Sequence, residues 1–191
     1  MSASTNAVIA SFAVGGTLQS LNHIIILAQE NRSLDSYFGY MRQYWANNKF
    51  PDQQFDGLPQ FNQPDGINPP PGAVPSLVGC DPTNPNGADE CTPDPSVTVP
   101  SFHMQSVCTE SLSPFWNEAH ADWNLSDPTS STATLDGFVI AGANDARQYP
   151  KSSGPVHDIN GYRTMGYFQD SDLPFYYYMA SNFATSDRWF S

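Results

Sequence analysis

LNHIIILAQENRSLDSYFG, residues 21–39, is the stretch of sequence that decides the fold class. It begins with an apolar, β-branched run and continues into a cluster of polar residues. A short apolar run bounded in this way predicts a buried strand of a parallel sheet, here Ile24 to Ala28. The sequence therefore predicts an α/β fold with this strand near the centre of its sheet.

A helix is predicted directly after this strand. Asn31 or Ser33 can cap a helix over residues 34–38, because their side-chain oxygens accept hydrogen bonds from its first free N–H groups. Asp35 in the first turn favours the positive end of the helix dipole. Gly39 is a typical residue at the end of a helix.

Glu30 and Asn31 are thereby predicted at the carboxyl end of a buried strand, where open α/β sheets bind ligands. Together they offer one charged and one neutral oxygen ligand, a combination that suits a hard divalent cation. The residues alone leave an alternative open, in which Glu30 pairs with Arg32 and Asn31 only caps the helix.

The string QENRS at residues 29–33, followed by D-x-Y-F-G at residues 35–39, resembles the bacterial phosphoesterase family. That family contains phospholipases C and an acid phosphatase, within the alkaline phosphatase-like superfamily. Leu34 stands where the family usually has Phe, which keeps an apolar residue at that position. The resemblance implies a three-layer α/β core and a divalent metal cation bound by Glu30 and Asn31.

A second motif places Trp116, His120 and Trp123 on one face of a predicted helix, since they are separated by four and three residues. Spacing alone favours a packed core histidine. The family carries a similar W-N/S-x-x-H-x-x-W-N pattern, followed by D-G-F-V as in residues 136–139. By this resemblance His120 lines the catalytic pocket near the phosphate, and His103 is a weaker candidate for that position.

The third motif runs from Met165 to Ser191 and matches a family run of M-G-Y, D-L-P and D-R-W-F in the same order. It predicts a helix capped by Asp172, with Pro174 in its first turn, where proline is tolerated. The aromatic face of this helix, at Phe175, Tyr178 and Met179, is predicted to be core.

The region from Pro51 to Pro100 has a different composition, with twelve of the seventeen prolines. Proline is excluded from helix interiors and central strands, so a long irregular insertion is predicted, with a short strand at residues 96–99. The insertion is expected to be either a poorly ordered surface loop or the rim of a substrate cleft. Residues 1–20 are predicted to be a linker or edge segment, and residues 21–191 part of a phosphoesterase domain.

The charge of the chain excludes several classes of partner. Lys plus Arg number 7 against 19 Asp plus Glu, a net charge of −12. Nucleic acids and anionic membranes need basic surface, so neither is expected as a partner. The apolar runs are far shorter than the ~20 residues that span a membrane, so no transmembrane segment is expected.

Cys80 and Cys91 flank a turn-rich segment and can close a small disulfide loop, which leaves Cys108 over. A disulfide fits an oxidising compartment. The resemblance likewise implies a secreted or periplasmic protein, although the chain begins with no signal peptide.

In the family, the nucleophilic Thr or Ser follows the D-R-W-F-S segment, and the remaining metal ligands come later. We therefore expect an amino-terminal fragment of a larger enzyme, which alone does not hydrolyse phosphate esters. The substrate is either a phospholipid or a small phosphoester, and the sequence does not identify the metal. The alternative is a non-catalytic binding or surface module that reuses the fold.

Overall fold

The computed structural model describes residues 32–48, 50–61, 77–83, 90–148, 157–183 and 185–188. The predicted strand at residues 24–28 lies outside them, as do Glu30 and Asn31. The described helices are α1 (Leu34–Phe38), α2 (Met41–Asn47), α3 (Trp116–Trp123), α4 (Phe138–Gln148) and α5 (Pro174–Asn182). The described strands are β1 (Val78–Cys80), β2 (Pro93–Thr98), β3 (Phe102–His103) and β4 (Gly166–Tyr167).

Helix α1 confirms the predicted start and end of a helix in the first motif. The Ser33 hydroxyl accepts a hydrogen bond from the Asp35 N–H at 3.2 Å, so Ser33 is the N-cap. Gly39 closes the helix and donates its N–H to the Asp35 carbonyl at 2.9 Å. Ser36 is buried and accepts the N–H of Phe168 at 2.8 Å, which fixes α1 against the end of β4.

The proline-rich region contains more regular structure than the sequence indicates. The strand predicted at residues 96–99 is present as β2, which begins three residues earlier. It pairs with β1 in an antiparallel sheet whose register shifts between Val78 and Gly79. Both strands of a two-stranded sheet are edge strands. Such strands tolerate the missing N–H groups of the prolines at 93 and 95.

The predicted disulfide between Cys80 and Cys91 is confirmed. Both residues are buried and pack against Ile140 and Ala143 of α4. Cys108 is exposed and forms no disulfide. The bridge thus joins the β1–β2 sheet at the point where the sheet covers α4.

Taken alone, residues 135–140 predict a short strand or helix start closed by Gly142, and residues 144–161 predict a loop. The structure differs from this prediction at helix α4. The helix continues past Gly142 to Gln148, so the first residues of the loop predicted from 144 are helical. A β-carbon at Gly142 would lie 2.5 Å from the Thr164 side chain. The glycine therefore permits close packing of α4 against the 3-10 helix Tyr162–Met165.

Helix α5 begins at the predicted proline, but the predicted cap is wrong. Leu173 occupies the N-cap position and makes no side-chain capping bond. The Asp172 carboxylate instead accepts the N–H of Gln169 at 2.8 Å and contacts His103 Nε2 at 2.6 Å. The Asp172 carboxylate is thus bonded to these two groups and does not cap the helix.

The predicted core face of α5 is also wrong. Phe175, Tyr178 and Met179 are exposed, Phe175 by 47%. The buried residues are Tyr177 and Ala180, and they pack against α2 in a cluster that includes three further buried side chains. These are Met41, Trp45 and Phe55.

The described residues form a mixed helix and sheet structure, consistent with an α/β fold. Strands β3 and β4 are parallel, with Phe102 opposite Gly166, and β1 and β2 form the separate antiparallel pair. Val139 of α4 packs against Leu77 and Val99, which lie opposite each other at one end of that pair. These contacts place α4 between the β1–β2 sheet and the 3-10 helix that leads into β4.

Candidate functional site

A cavity of about 460 Å³ lies where the three sequence motifs meet. The first motif contributes Ser33 and Asp35 of the α1 start, and the third contributes Met165 and Gly166. The second motif contributes Glu118, Asp122 and Phe138, and Leu135 immediately precedes its D-G-F-V part. Segments that are far apart in sequence thus form one concave surface, which is the usual form of a ligand site.

The cavity combines apolar walls with a few polar groups. Leu58, Leu77 and Leu112 supply further apolar surface, and Ser101 and Ser113 supply hydroxyl groups. A pocket of this composition excludes water from most of its surface and orients a ligand through a small number of polar contacts.

Two carboxyl groups, Glu118 and Asp122, project from one face of α3 into this cavity. They are one helical turn apart, so they are neighbours on the helix surface. Glu118 Oε2 is buried and has no hydrogen-bond partner among the described residues. Burial and the neighbouring Glu118 carboxylate raise the pKa of Asp122 to about 7. Near neutral pH, Asp122 can therefore either donate or accept a proton.

The sequence interpretation missed this carboxyl pair. It used the spacing of Trp116, His120 and Trp123 and so described the opposite face of α3. The signal that could have found the pair is the separation of four residues between Glu118 and Asp122, which places two like charges side by side.

His120 lies on the outer face of α3. Its ring stacks on that of Trp116 with centroids 3.6 Å apart, and its Nδ1 lies 2.8 Å from the Trp116 carbonyl oxygen. Trp116 is 68% exposed, Trp123 is 42% exposed, and no residue of α3 is buried, so the alternative of a packed core histidine is wrong. His120 is outside the cavity lining, to which α3 contributes Glu118 and Asp122. A contact between His120 and phosphate stays a prediction.

His103 lies on β3, beside the parallel strand β4. Its Nε2 is 2.6 Å from Asp172 Oδ2, and its ring stacks on Tyr167 with centroids 6.0 Å apart. Like His120, His103 is outside the cavity lining. The structure therefore brings neither histidine to the surface formed by the three motifs.

The predicted metal ligands Glu30 and Asn31 lie outside the described residues, so their role stays a prediction. Ser33 and Asp35, which follow them closely in the chain, line the cavity. Among the described residues, no group of three His, Cys, Asp or Glu side chains is arranged to hold a metal ion. Within the described part, Asp35 and the carboxyl pair of α3 supply acidic groups to the cavity but not a complete metal site.

The three motifs also agree with a family model. Residues 21–191 match the model of the Phosphoesterase family. The match includes every segment that lines the cavity.

Curated relatives carry phospholipase C names. The chain is 27% identical over 182 residues to a hemolytic phospholipase C of Pseudomonas aeruginosa, which covers 91% of this chain and 17% of that protein. It is 27% identical over 177 residues to phospholipase C A of Mycobacterium tuberculosis, with 91% and 26% covered. It is 25% identical over 177 residues to the non-specific phospholipase C5 of Arabidopsis thaliana, with 93% and 28% covered. The chain thus spans between 17% and 28% of the length of these relatives.

No solved structure shows a significant match to this chain. In the described part of the chain, no helix is long and apolar enough to cross a membrane.

Proposed function

The chain belongs to the Phosphoesterase family, and on that premise we propose that it forms part of a metal-dependent hydrolase of phosphate esters. The enzyme is of phospholipase C or acid phosphatase type. Its substrate is a phospholipid or a small phosphoester that enters the cavity between α1, α3 and α4. The presence of Glu30, Asn31 and His120 together in this chain argues against a non-catalytic module.

One observation carries this proposal, namely that all three family motifs contribute residues to the same cavity. Ser33 and Asp35 come from the first motif, Glu118 and Asp122 from the second, and Gly166 from the third. Ligands of α/β sheets bind beyond the carboxyl ends of the strands, and the first motif predicts a strand that ends two residues before Glu30. The proposed metal ligands, Glu30 and Asn31, are therefore close in sequence to the cavity residues Ser33 and Asp35.

The chemistry of the donor set assigns roles to the residues. Glu30 and Asn31 hold the divalent cation through a carboxylate and an amide oxygen. The bound cation supplies Lewis-acid polarisation of a phosphoryl oxygen. Asp122, with its raised pKa, donates a proton to the departing oxygen of the ester. The resemblance also predicts a phosphate contact for His120; because His120 lies outside this cavity, that contact requires the site of the complete enzyme to reach the outer face of α3.

The nucleophile and the remaining metal ligands are proposed to lie outside these 191 residues. The coverage of the relatives supports this, because the chain matches between 17% and 28% of their length. On its own, the 191-residue chain is expected not to hydrolyse phosphate esters. The Cys80–Cys91 bridge supports a secreted or periplasmic location.

The proposal is tested by a substitution that fills the cavity with a large side chain in the enzyme that carries this sequence. Ser113 lines the cavity, so Ser113→Trp should abolish hydrolysis of a chromogenic phosphodiester while metal content stays unchanged. Ser171→Trp is the matched control, because Ser171 is exposed and does not line the cavity. Equal turnover by both folded variants would show that the ester does not bind in this cavity. A folded wild-type enzyme that holds metal but hydrolyses no phosphate ester would favour the non-catalytic module.

A further inference from the structure

Arg163 is a buried cation whose contacts join three separate segments. Its side chain is only 5% exposed. The guanidinium group donates to the Ser111 carbonyl from Nε at 3.3 Å and from Nη2 at 3.1 Å. Its Nη1 donates to the carbonyls of Gly142 at 2.9 Å and Asp158 at 3.2 Å. One side chain therefore holds the segment before α3, helix α4 and the turn before the 3-10 helix.

Acidic side chains surround this cation. Asp145 Oδ2 lies 3.4 Å from Nη2, and oxygens of Glu110 and Asp158 lie 3.9 Å and 3.8 Å from Nη1. Glu110 is itself 6% exposed, and its carboxylate accepts the N–H of Asp158 at 2.9 Å and contacts His157 Nδ1 at 3.2 Å. A buried charge that is paired and hydrogen-bonded in this way holds a defined geometry, and removal of one partner is costly.

Each segment that Arg163 contacts contributes to the cavity wall. Ser111 immediately precedes Leu112 and Ser113, which both line the cavity. Gly142 lines the cavity itself, and so does Thr164, the residue after Arg163. The contacts thus lie directly behind three parts of the wall.

We propose that Arg163 is a positioning residue that fixes these three parts of the wall relative to one another. This inference rests on the proposed function, in which the cavity holds the phosphate ester. Arg163 does not touch the ester; it acts through the main chain of Ser111, Gly142 and its own turn. A displacement of the wall by about 1 Å would misplace the ester and slow turnover by about 10²-fold.

Lysine cannot replace arginine in this position. A guanidinium group presents five N–H donors in a fixed plane, whereas an ammonium group is a compact charge with three. The ammonium of Arg163→Lys retains the positive charge for Asp145, but its donors sit on a single nitrogen and do not match the spread of the Ser111, Gly142 and Asp158 carbonyls around the guanidinium plane. The substitution therefore separates the geometry of the network from its charge.

The experiment compares Arg163→Lys with Arg188→Lys in the enzyme that carries this sequence. Arg188 is the matched control, because its side chain is 75% exposed and its ion pair with Asp56 at 3.1 Å lies at the surface. Circular dichroism first establishes a temperature at which all variants are folded. At that temperature, Arg163→Lys should lower kcat/KM for a phosphodiester by about 10–100-fold, mostly through kcat, with metal content unchanged. Arg188→Lys should stay within about twofold of the wild type.

A purely structural role for Arg163 predicts a different result. It would lower the unfolding temperature of Arg163→Lys but leave kcat and KM of the folded enzyme unchanged, and that outcome would overturn the proposal. If Arg163→Lys does not fold, Glu110→Gln provides the second test, because it removes charge beside Nη1 and keeps a side chain of similar shape. Wild-type kcat/KM in folded Glu110→Gln would then overturn the proposal.

Hydrogen exchange gives a readout that does not depend on activity. In the wild type, the N–H groups of Asp158 and Arg163 are bonded to carboxylates at 2.9 Å and 2.7 Å. Arg163→Lys should accelerate exchange at these two amides in folded protein, whereas Arg188→Lys should not. Accelerated exchange in a protein without phosphoesterase activity would refute the proposed function and keep the network. Unchanged exchange would refute the network itself.

Discussion

The raised pKa of Asp122 predicts a specific dependence of stability on pH. The pKa rises from an ordinary value of 3.8 to about 7 because burial and the Glu118 carboxylate disfavour the charged form. Between these two pH values the folded protein binds more protons than the unfolded chain. The free energy of unfolding should therefore fall as the pH rises from about 4 to about 7.

The magnitude follows from the size of the shift. One pKa unit corresponds to about 1.4 kcal/mol, so a shift of roughly three units sets an upper bound of about 4 kcal/mol. Asp122 is only partly buried, and solvent screening reduces this to about 1–3 kcal/mol. Asp122→Asn removes the charge, so the variant should be more stable than the wild type by this amount at pH 8 and equally stable near pH 4.

Urea denaturation followed by circular dichroism at pH values from 4 to 8 measures this difference. Asp52→Asn is the control, because Asp52 is exposed and its removal should leave the slope of the wild type unchanged. Parallel pH curves for the wild type and Asp122→Asn would refute the reasoning. They would show that the carboxyl pair is not strained by burial and that Asp122 is an ordinary surface acid.

Three further predictions concern other parts of the chain. Gly161 has φ +70°, and an added β-carbon would lie 2.1 Å from the Val139 carbonyl oxygen, so Gly161→Ala should lower the free energy of unfolding by about 1–3 kcal/mol in thermal denaturation. Replacement of both Cys80 and Cys91 by Ser should cost about 3 kcal/mol, and dithiothreitol should reproduce this loss in the wild type but not in the variant. In the enzyme that carries this sequence, His120→Ala should leave the metal bound and slow turnover by about 10²–10⁴-fold; unchanged turnover would remove His120 from the mechanism.

Local signals in the sequence predicted local structure well. Helix α1 begins after Ser33 and ends at Gly39, because a cap and a glycine act on the nearest turn of the backbone alone. The start of α5 at Pro174 was predictable for the same reason. The Cys80–Cys91 bridge was predictable because a short, turn-rich segment brings its two ends together.

Features that depend on distant neighbours were not predictable in the same way. Gly142 indicates a helix end when taken alone, but Thr164 of another segment occupies the space beside it, and the helix continues. Asp172 has the composition of a cap, but His103, 69 residues away, contacts its carboxylate.

The carboxyl pair of the cavity illustrates the same limit at the site. The motif around His120 predicts a functional role for the aromatic face of α3. The packing of the helix shows that the opposite face, with Glu118 and Asp122, lines the cavity. Glu118 and Asp122 acquire their properties from burial, which a sequence without its fold does not specify. The family motifs lie on segments that line the cavity, and the structure identified additional lining side chains within them.

The central claim is that Glu30 and Asn31 hold a metal next to the cavity, and metal content measured together with turnover tests it most directly. In the enzyme that carries this sequence, Glu30→Ala should lose its bound metal and nearly all hydrolysis of a phosphodiester, because it deletes a charged ligand. Glu90→Ala is the matched control, since Glu90 is exposed, and it should retain both properties. Full metal occupancy and normal turnover in Glu30→Ala would contradict the account and would leave Glu30 without a role at the metal.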